Sequence, residues 1–366
     1  MARRSFAFLI HPRTSIREDM GRAWRPLAAV PERAWEAALR RLPLPPIDWG
    51  TIELPPGPDR PEGWLVLVPY SAQQLLTLDR SQTVAKIERC VDRAAELGAD
   101  LVGLGALTAP VTKGGAKLTH RTDVGITNGN AFTAVMTFEA VRRLRERSPA
   151  ADPVIAVVGA SGSVGSCLVR LLAREGASQR LTLVARTQRR LERLADEVRA
   201  SSPGSRVTVA TDIRAVADAD IVVLLTASTR QLLSGEHLKP GAMVLDDTQP
   251  RNTSPRLLVE RPDVMIVDGG LVSIPGLRLG GDIDTPPKTV YACLAETMLL
   301  AMDGHEGHFS IGMPTLEQAD HVAALARRYS CYGFGLAPFH SFGTPLPEDG
   351  APRDGRVSVG GYDAVA

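Results

Sequence analysis

Residues 153–172 read PVIAVVGASGSVGSCLVRLL: a short β-branched run, a turn holding Gly159, Gly162 and Gly165, then a helical apolar pattern. No other stretch restricts the fold as tightly. Val154 to Val158 form a short, uniformly apolar run, which bounded by a glycine turn reads as a buried strand. The glycines let the chain enter a helix at once and leave backbone N–H groups open to a pyrophosphate. Three spaced glycines alone are a common structural turn, so the surroundings must decide. They do, because the pattern repeats: RLTLVAR (180–186), VTVA (207–210), DIVVLLTA (220–227), AMVLDD (242–247) and VMIVDGG (264–270) follow, separated by helical or turn segments. Alternating strands and helices require right-handed crossovers and a parallel sheet. The expected fold is α/β: a Rossmann-like doubly wound parallel sheet, with a second, mixed α/β substrate domain at the N-terminus.

The 366 residues divide into four stretches. Residues 1–150 form the expected substrate domain. FAFLI and WLVLVPY (64–70) read as strands there, and SQTVAKIERCVDRAAELGA (81–99) as a helix capped by Ser81. ADLVGLGALTA (99–109) reads as a strand entering a loop, and seven prolines between 41 and 63 mark a loop or irregular arm. A helix at 130–148 leads into the dinucleotide-binding domain, residues 151–280. Residues 281–345 carry C-terminal helices that bring Cys293 back between the domains. For the first of these Thr285 is the expected cap and Pro286 suits the first turn; the second spans 315–330. Residues 346–366 are Gly/Pro/Asp-rich and read as a disordered tail.

Charge and cysteine usage exclude several functions. Forty-two Lys+Arg against 41 Asp+Glu leave a net charge of +1, without the basic excess of a nucleic-acid or membrane-surface binder. The four cysteines show no CxxC pair and no histidine at metal spacing, so neither a disulfide framework nor a metal site is expected. FAFLI is too short for a signal sequence, and no apolar run approaches the ~20 residues of a membrane span. A cytoplasmic protein with no nucleic-acid partner is expected; its oligomeric state is not legible.

The turn residues Gly159, Ser161, Gly162, Ser163, Val164 and Gly165 are the expected pyrophosphate cradle. NAD-binding sheets usually end their second strand with a carboxylate on the ribose 2′-hydroxyl. Here that strand ends in Arg186 and Thr187, with Arg190 close behind. Guanidinium groups suit a 2′-phosphate, so NADPH is the expected cofactor; the alternative is arginines that solvate a helix start. Ligands lie beyond the carboxyl ends of the strands, which puts Thr226, Ala227, Ser228, Asp247 and Gly269 near the nicotinamide.

VVGASGSVGS, LGALT (104–108), TNGNAFTA (127–134), VDGGLV (267–272), YACLAETMLLAMDG (291–304) and HFSIG (308–312) together resemble the cyanobacterial long-chain acyl-[acyl carrier protein] reductases. The likeness runs in order over roughly residues 99–340. It implies reduction of an acyl thioester to a fatty aldehyde with NADPH, the thioester being carried by acyl carrier protein or coenzyme A. It also implies that Cys293, in a CxAExMLL helix with Glu296, is the acylated nucleophile, and that Asn130 belongs to a GNxxTA element. Phe132 stands where that family usually has His, and residues 1–98 look hardly similar.

The chemistry itself favours cysteine. Thioester exchange by a thiolate is nearly balanced, and thiolate is highly nucleophilic. Ester or amide intermediates on Ser or Lys would accept hydride poorly. Activation is harder: a helix starting at Pro286 leaves Cys293 two turns in, where the helix dipole has faded. Glu296 as proton acceptor, and His305 or His308 as bases, are the candidates. Asn128 and Asn130 could donate to a thioester carbonyl or simply shape a turn. Lys113 could bind an anion or face water. RRLRER (142–147) could dock an acidic carrier or be a solvated face. Cys293 itself could be core filler, as Cys90, Cys167 and Cys331 are read to be. Two further readings stay open: a non-covalent NADP-dependent dehydrogenase of a hydroxy or amino acid with a shikimate-dehydrogenase-like layout, and a non-enzymatic NADP sensor.

Overall fold

The structure, a computed structural model, describes residues 4–12, 16–23, 25–42, 44–57, 60–175, 179–228 and 230–347. The expected tail falls, from 348 onward, outside the described residues. The first half runs β1 (Phe6–Ile10), α1 (Ile16–Ala23), α2 (Glu32–Arg41), β2 (Ile47–Glu53), β3 (Gly63–Leu67), α3 (Ala72–Thr77), α4 (Arg80–Glu96), β4 (Leu101–Leu104), α5 (Thr108–Val111) and β5 (Gly125–Thr127). Helix α6 (Asn130–Arg147) leads to β6 (Val154–Val158), α7 (Ser163–Arg174), β7 (Arg180–Val184), α8 (Gln188–Ser201), β8 (Arg206–Ala210), β9 (Ile221–Leu224), β10 (Met243–Asp246), α9 (Arg256–Glu260) and β11 (Met265–Asp268). The closing segment holds β12 (Leu271–Ser273), β13 (Arg278–Leu279), β14 (Thr289–Tyr291), α10 (Ala292–Met302), α11 (Leu316–Arg328) and β15 (Gly335–Leu336).

The second sheet is wholly parallel in the order β11-β10-β9-β6-β7-β8. The chain starts at β6, winds outward through β7 and β8, then returns to β9 on the other side. That reversal beside β6 opens a crevice at its carboxyl end, where the glycine turn stands. Val158 is level with both Val184 and Leu224, so the three strand ends form one rim.

The first sheet runs β13-β2-β3-β1-β4-β5; β1, β3, β4 and β5 are parallel, and β2 runs antiparallel to both of its neighbours, β3 and β13. Strand β2 lies inside the segment expected to be an irregular arm. Its prolines bracket the strand instead of interrupting it, so Ile47–Glu53 keeps its ladder donors.

Helix α10 ties the halves together. Every residue of Ala292–Met302 except Cys293 is buried, so the helix is enclosed on every side, and apart from Glu296 and Thr297 its side chains are apolar. Leu294 and Met298 share a core with Phe8 of β1, Phe132 and Val135 of α6, and Cys167 of α7. Each such side chain stabilises the assembly by roughly 1.5–3 kcal/mol. A Cβ at Gly103 of β4 would stand 2.1 Å from the Thr297 hydroxyl oxygen, so the glycine admits α10 against the strand.

Two helix starts differ from expectation. The cap of α4 is Asp79, whose carboxylate accepts from the N–H groups of Ser81 and Gln82, rather than Ser81. Helix α10 begins at Ala292, not Pro286, because Thr289–Tyr291 pairs antiparallel with β12. Two β-branched or aromatic neighbours flanking a valine prefer that strand to a helical turn. Cys293 consequently lies in the first turn of its helix.

Candidate active site

A cavity of about 1100 Å³ opens between the two sheets. Of the expected cofactor residues, Gly159, Ser161, Gly162, Ser163, Val164, Arg186, Thr187, Arg190, Thr226, Ala227, Ser228 and Asp247 line it, and so do Asn130 and Cys293. Gly165, Gly269 and Glu296 stand behind its wall. A Cβ at Gly165 would meet the Gly159 carbonyl oxygen at 2.4 Å, so this glycine lets α7 approach β6. One at Gly269 would meet the Asp247 Cβ at 2.7 Å. Both position the lining rather than form it.

The glycine turn fits a dinucleotide. Gly159 has φ +89° and a Cβ there would lie 2.4 Å from the Leu225 carbonyl oxygen, so only glycine turns there. Gly162 caps α7 without any side-chain cap, which leaves the first helical N–H groups to a ligand. Ser163 is engaged: its hydroxyl donates to the Gly312 carbonyl at 2.8 Å and accepts from the Asn130 amide at 2.9 Å. Arg186 and Arg190 are exposed at the cavity edge. Neither forms an ion pair within the described residues, and no carboxylate ends β7.

Cys293 is half-buried and faces this cavity. The N–H of Ala292 donates to the Gly270 carbonyl at 2.7 Å, which fixes the helix start. Gly129, the left-handed cap of α6 at φ +73°, touches the cysteine: a Cβ on it would stand 2.2 Å from the Cys293 Cβ. Burial pushes the thiol up to about 12, and the charge of Asp247 pushes the same way; the N–H groups of Leu294 and Cys293 act against them, Glu296 with them. The resting sulfur is a thiol.

Glu296 is fully buried. It accepts from the Thr127 hydroxyl at 2.5 Å and from the Phe132 N–H at 2.8 Å. It thereby caps α6, which has no side-chain cap of its own, and burial raises its carboxyl to about 7. Its two oxygens are committed to the Thr127–Phe132 turn rather than to the cavity. Asn128 is equally committed, donating to the Gly114 and Gly312 carbonyls and accepting from the Asn130 N–H and the Ser310 hydroxyl. The turn role of Asn128 is the one realised.

The histidine bases are not realised. His308 accepts from the Ile126 N–H through Nδ1, and its Nε2 lies 3.2 Å from the Thr119 carbonyl. His305 packs edge-on against Phe309, and neither histidine lines the cavity. Cys90 and Cys167 are buried as read; Cys331 is exposed. Lys113 does line the cavity, at φ +56°. The RRLRER run is largely consumed internally: Arg142 and Arg145 pair with Glu175, and Arg143 and Arg147 lie over the Phe339 ring.

Sequence reasoning missed the scaffold of the loop after β10. Asp246 accepts from Thr248, Asn252 and Thr253, and Asn252 in turn accepts from Thr226 at 2.5 Å and donates to the Ser228 carbonyl. It also missed Thr137, whose hydroxyl donates to Asp247 Oδ2 at 2.5 Å. The signal for Thr137 was the Thr133/Thr137 spacing on one face of α6.

Residues 154–265 match the family described as semialdehyde dehydrogenase, NAD binding domain. The chain is 29% identical over 292 residues to the aminotransferase PigE of Serratia sp., covering 77% of this chain and 33% of that protein; it thus spans about a third of that relative's length. It is 24% identical over 282 residues to the long-chain acyl-[acyl-carrier-protein] reductase of Synechococcus elongatus, covering 72% of this chain and 80% of that enzyme. Among solved structures it is similar to quinate dehydrogenase from Corynebacterium glutamicum, at 15% identity over 66% of this chain and 79% of that one, with a TM-score of 0.30. The chain carries a nicotinamide-dinucleotide-binding domain of the oxidoreductase type. Among the described residues no helix is long and apolar enough to cross a membrane.

Proposed function

We propose that the protein is an NADPH-dependent reductase that converts an acyl thioester, carried by acyl carrier protein or coenzyme A, to an aldehyde through an acyl group on Cys293. The observation that carries this reading is the opening of the Cys293 thiol and the uncapped α7 start into one cavity. The likeness to an acyl-[acyl-carrier-protein] reductase supports it.

Each residue then has a task. The turn from Gly159 to Val164 holds the pyrophosphate, and Arg186, Thr187 and Arg190 hold the 2′-phosphate. The bound reduced nicotinamide supplies a hydride. Cys293 exchanges its thiol for the carrier's and keeps the acyl carbon in the cavity. When the tetrahedral adduct on its sulfur collapses, the C–S electron pair returns to Cys293 and the aldehyde leaves. Asn130, beside Ser163 at the glycine turn, aligns the carbonyl; Glu296 keeps Gly129 against the cysteine.

Intact-mass analysis after incubation with a panel of acyl carrier protein and coenzyme A thioesters, without dinucleotide, tests the reading. An acyl adduct absent from Cys293→Ala and discharged on adding NADPH is expected. No adduct on the unaltered chain across the panel sinks it.

A further inference from the structure

The resting thiol feels the carboxylates of Asp247 and Glu296, so attack on a thioester needs a partner that takes its proton. We propose that Asp247 is that partner: it accepts the Cys293 proton as the sulfur attacks and delivers it to the departing thiolate.

Asp247 follows β10 and lines the same cavity as Cys293. A Cβ on Gly270 would stand 2.2 Å from Asp247 Oδ1, and the Gly270 carbonyl receives the N–H of Ala292, the residue before the cysteine. On the other side, α6 links the two. Gly129 touches Cys293, the Thr133 hydroxyl donates to the Gly129 carbonyl at 2.8 Å, and the Thr137 hydroxyl oxygen lies 2.7 Å from the Thr133 carbonyl and shares a hydrogen bond with Asp247 Oδ2. Oδ2 is therefore anchored, while Oδ1 has no hydrogen-bond partner among the described residues.

Asp246, Glu296 and His11 are committed elsewhere, while Lys113 and Asp282 also line the cavity. Asp246, the last residue of β10, spends its oxygens on Thr248, Asn252 and Thr253. Glu296 caps α6. His11 faces the cavity but takes the Leu107 N–H on Nε2, with Nδ1 against the Pro12 carbonyl. Burial, with the charge of Asp246, raises the Asp247 carboxyl to about 7, while Thr137 holds it down. At neutral pH both forms are therefore populated, which suits a group that must accept and return a proton.

The step balances. The S–H bond breaks and an O–H bond forms on Asp247 as the C–S bond to Cys293 forms. The C–S bond to the carrier then breaks, its electron pair goes to the carrier sulfur, and that sulfur takes the Asp247 proton. Nothing is oxidised or reduced in this half.

The proposal rests on the thioester reading for its substrate, but its first readout does not. The rate at which iodoacetamide alkylates Cys293 in the full chain, without dinucleotide, is followed from pH 6 to 9 by mass spectrometry. The unaltered protein is expected to show a step near 7. Asp247→Asn loses that step, and its acylation by octanoyl-coenzyme A falls roughly 100-fold, the usual scale of acid–base help. Thr137→Val keeps the carboxylate but removes its anchor, so the step moves to higher pH. Alkylation of Asp247→Asn as fast as that of the unaltered protein, or faster, overturns the proposal, since Asp247 would then only repel the thiolate. Unchanged alkylation with weakened NADPH binding overturns it as well, in favour of a cofactor contact. Slowed alkylation in Asp247→Asn with no adduct on the unaltered chain removes the thioester reading and leaves the proton partnership standing.

Discussion

Gly129 and Cys293 occupy what would otherwise be one volume. Gly129→Ala would force a Cβ to within 2.2 Å of the cysteine at a φ of +73°, so strain and overpacking add to about 2–4 kcal/mol. Urea unfolding should show that loss, together with slower Cys293 alkylation because the sulfur is displaced. Stability near that of the unaltered chain with normal alkylation would mean that the turn yields freely. Glu296 makes a second test at this scale. Its native carboxyl titrates near 7, against 4.5 for an unhindered glutamate. A raised native value means that the protonated form contributes stability, fully present below 4.5 and lost as pH rises through 7. Glu296→Gln does not titrate, so whatever the substitution costs at one pH, its change with pH isolates this ionisation. The unaltered protein should lose on the order of 2–3 kcal/mol relative to Glu296→Gln between pH 5 and pH 8. Paired urea titrations at those two pH values measure it, and a gap independent of pH would rule the linkage out.

Helix starts show which parts of the chain were readable. The glycine turn and α7 stand where the sequence puts them, because strand, glycine and helix signals agree over one short stretch. At α4 two residues compete for the cap, Asp79 and Ser81; the carboxylate reaches two N–H groups and takes the position. Asp79→Ala should therefore cost about 1 kcal/mol, and Ser81→Ala much less. Chemical denaturation of the two variants separates them, and the reverse order would restore Ser81 as the cap. The start of α10 was not readable. Thr285 and Pro286 make a sound local signal, but Thr289–Tyr291 pairs with β12, a partner near in space and contributed by another part of the chain. That shift carries Cys293 from the second turn to the first. Asp247 illustrates the same limit. Its strand end suggests a cofactor contact, whereas its tie to Thr137, 110 positions away, exists only once α6 crosses the sheet.

Across the whole molecule, the cavity exists because α6 and α10 bury one continuous core between the two sheets. The parallel sheet on one side of that seam was legible from its strand and glycine signals. On the other side β1, β3, β4 and α4 were legible as well, but β2 and β13, which pair across more than 220 positions, were not. On the proposed function, the choice of cofactor rests on the outer edge of the same seam. Arg186 and Arg190 stand exposed there, beyond a β7 that ends without a carboxylate. If they grip a 2′-phosphate, each charge-assisted bond is worth about 1.5–3 kcal/mol before salt screens it. Arg186→Ala with Arg190→Ala should then weaken NADPH binding roughly 100-fold or more at low salt and leave NADH binding within about threefold, because a hydroxyl gains little from a guanidinium. Nucleotide fluorescence titrations at low and at 0.3 M salt measure both, and the NADPH preference should shrink as salt rises. Equal weakening of the two dinucleotides would instead put the arginines on the shared pyrophosphate, and the preference for NADPH would have no residue to carry it.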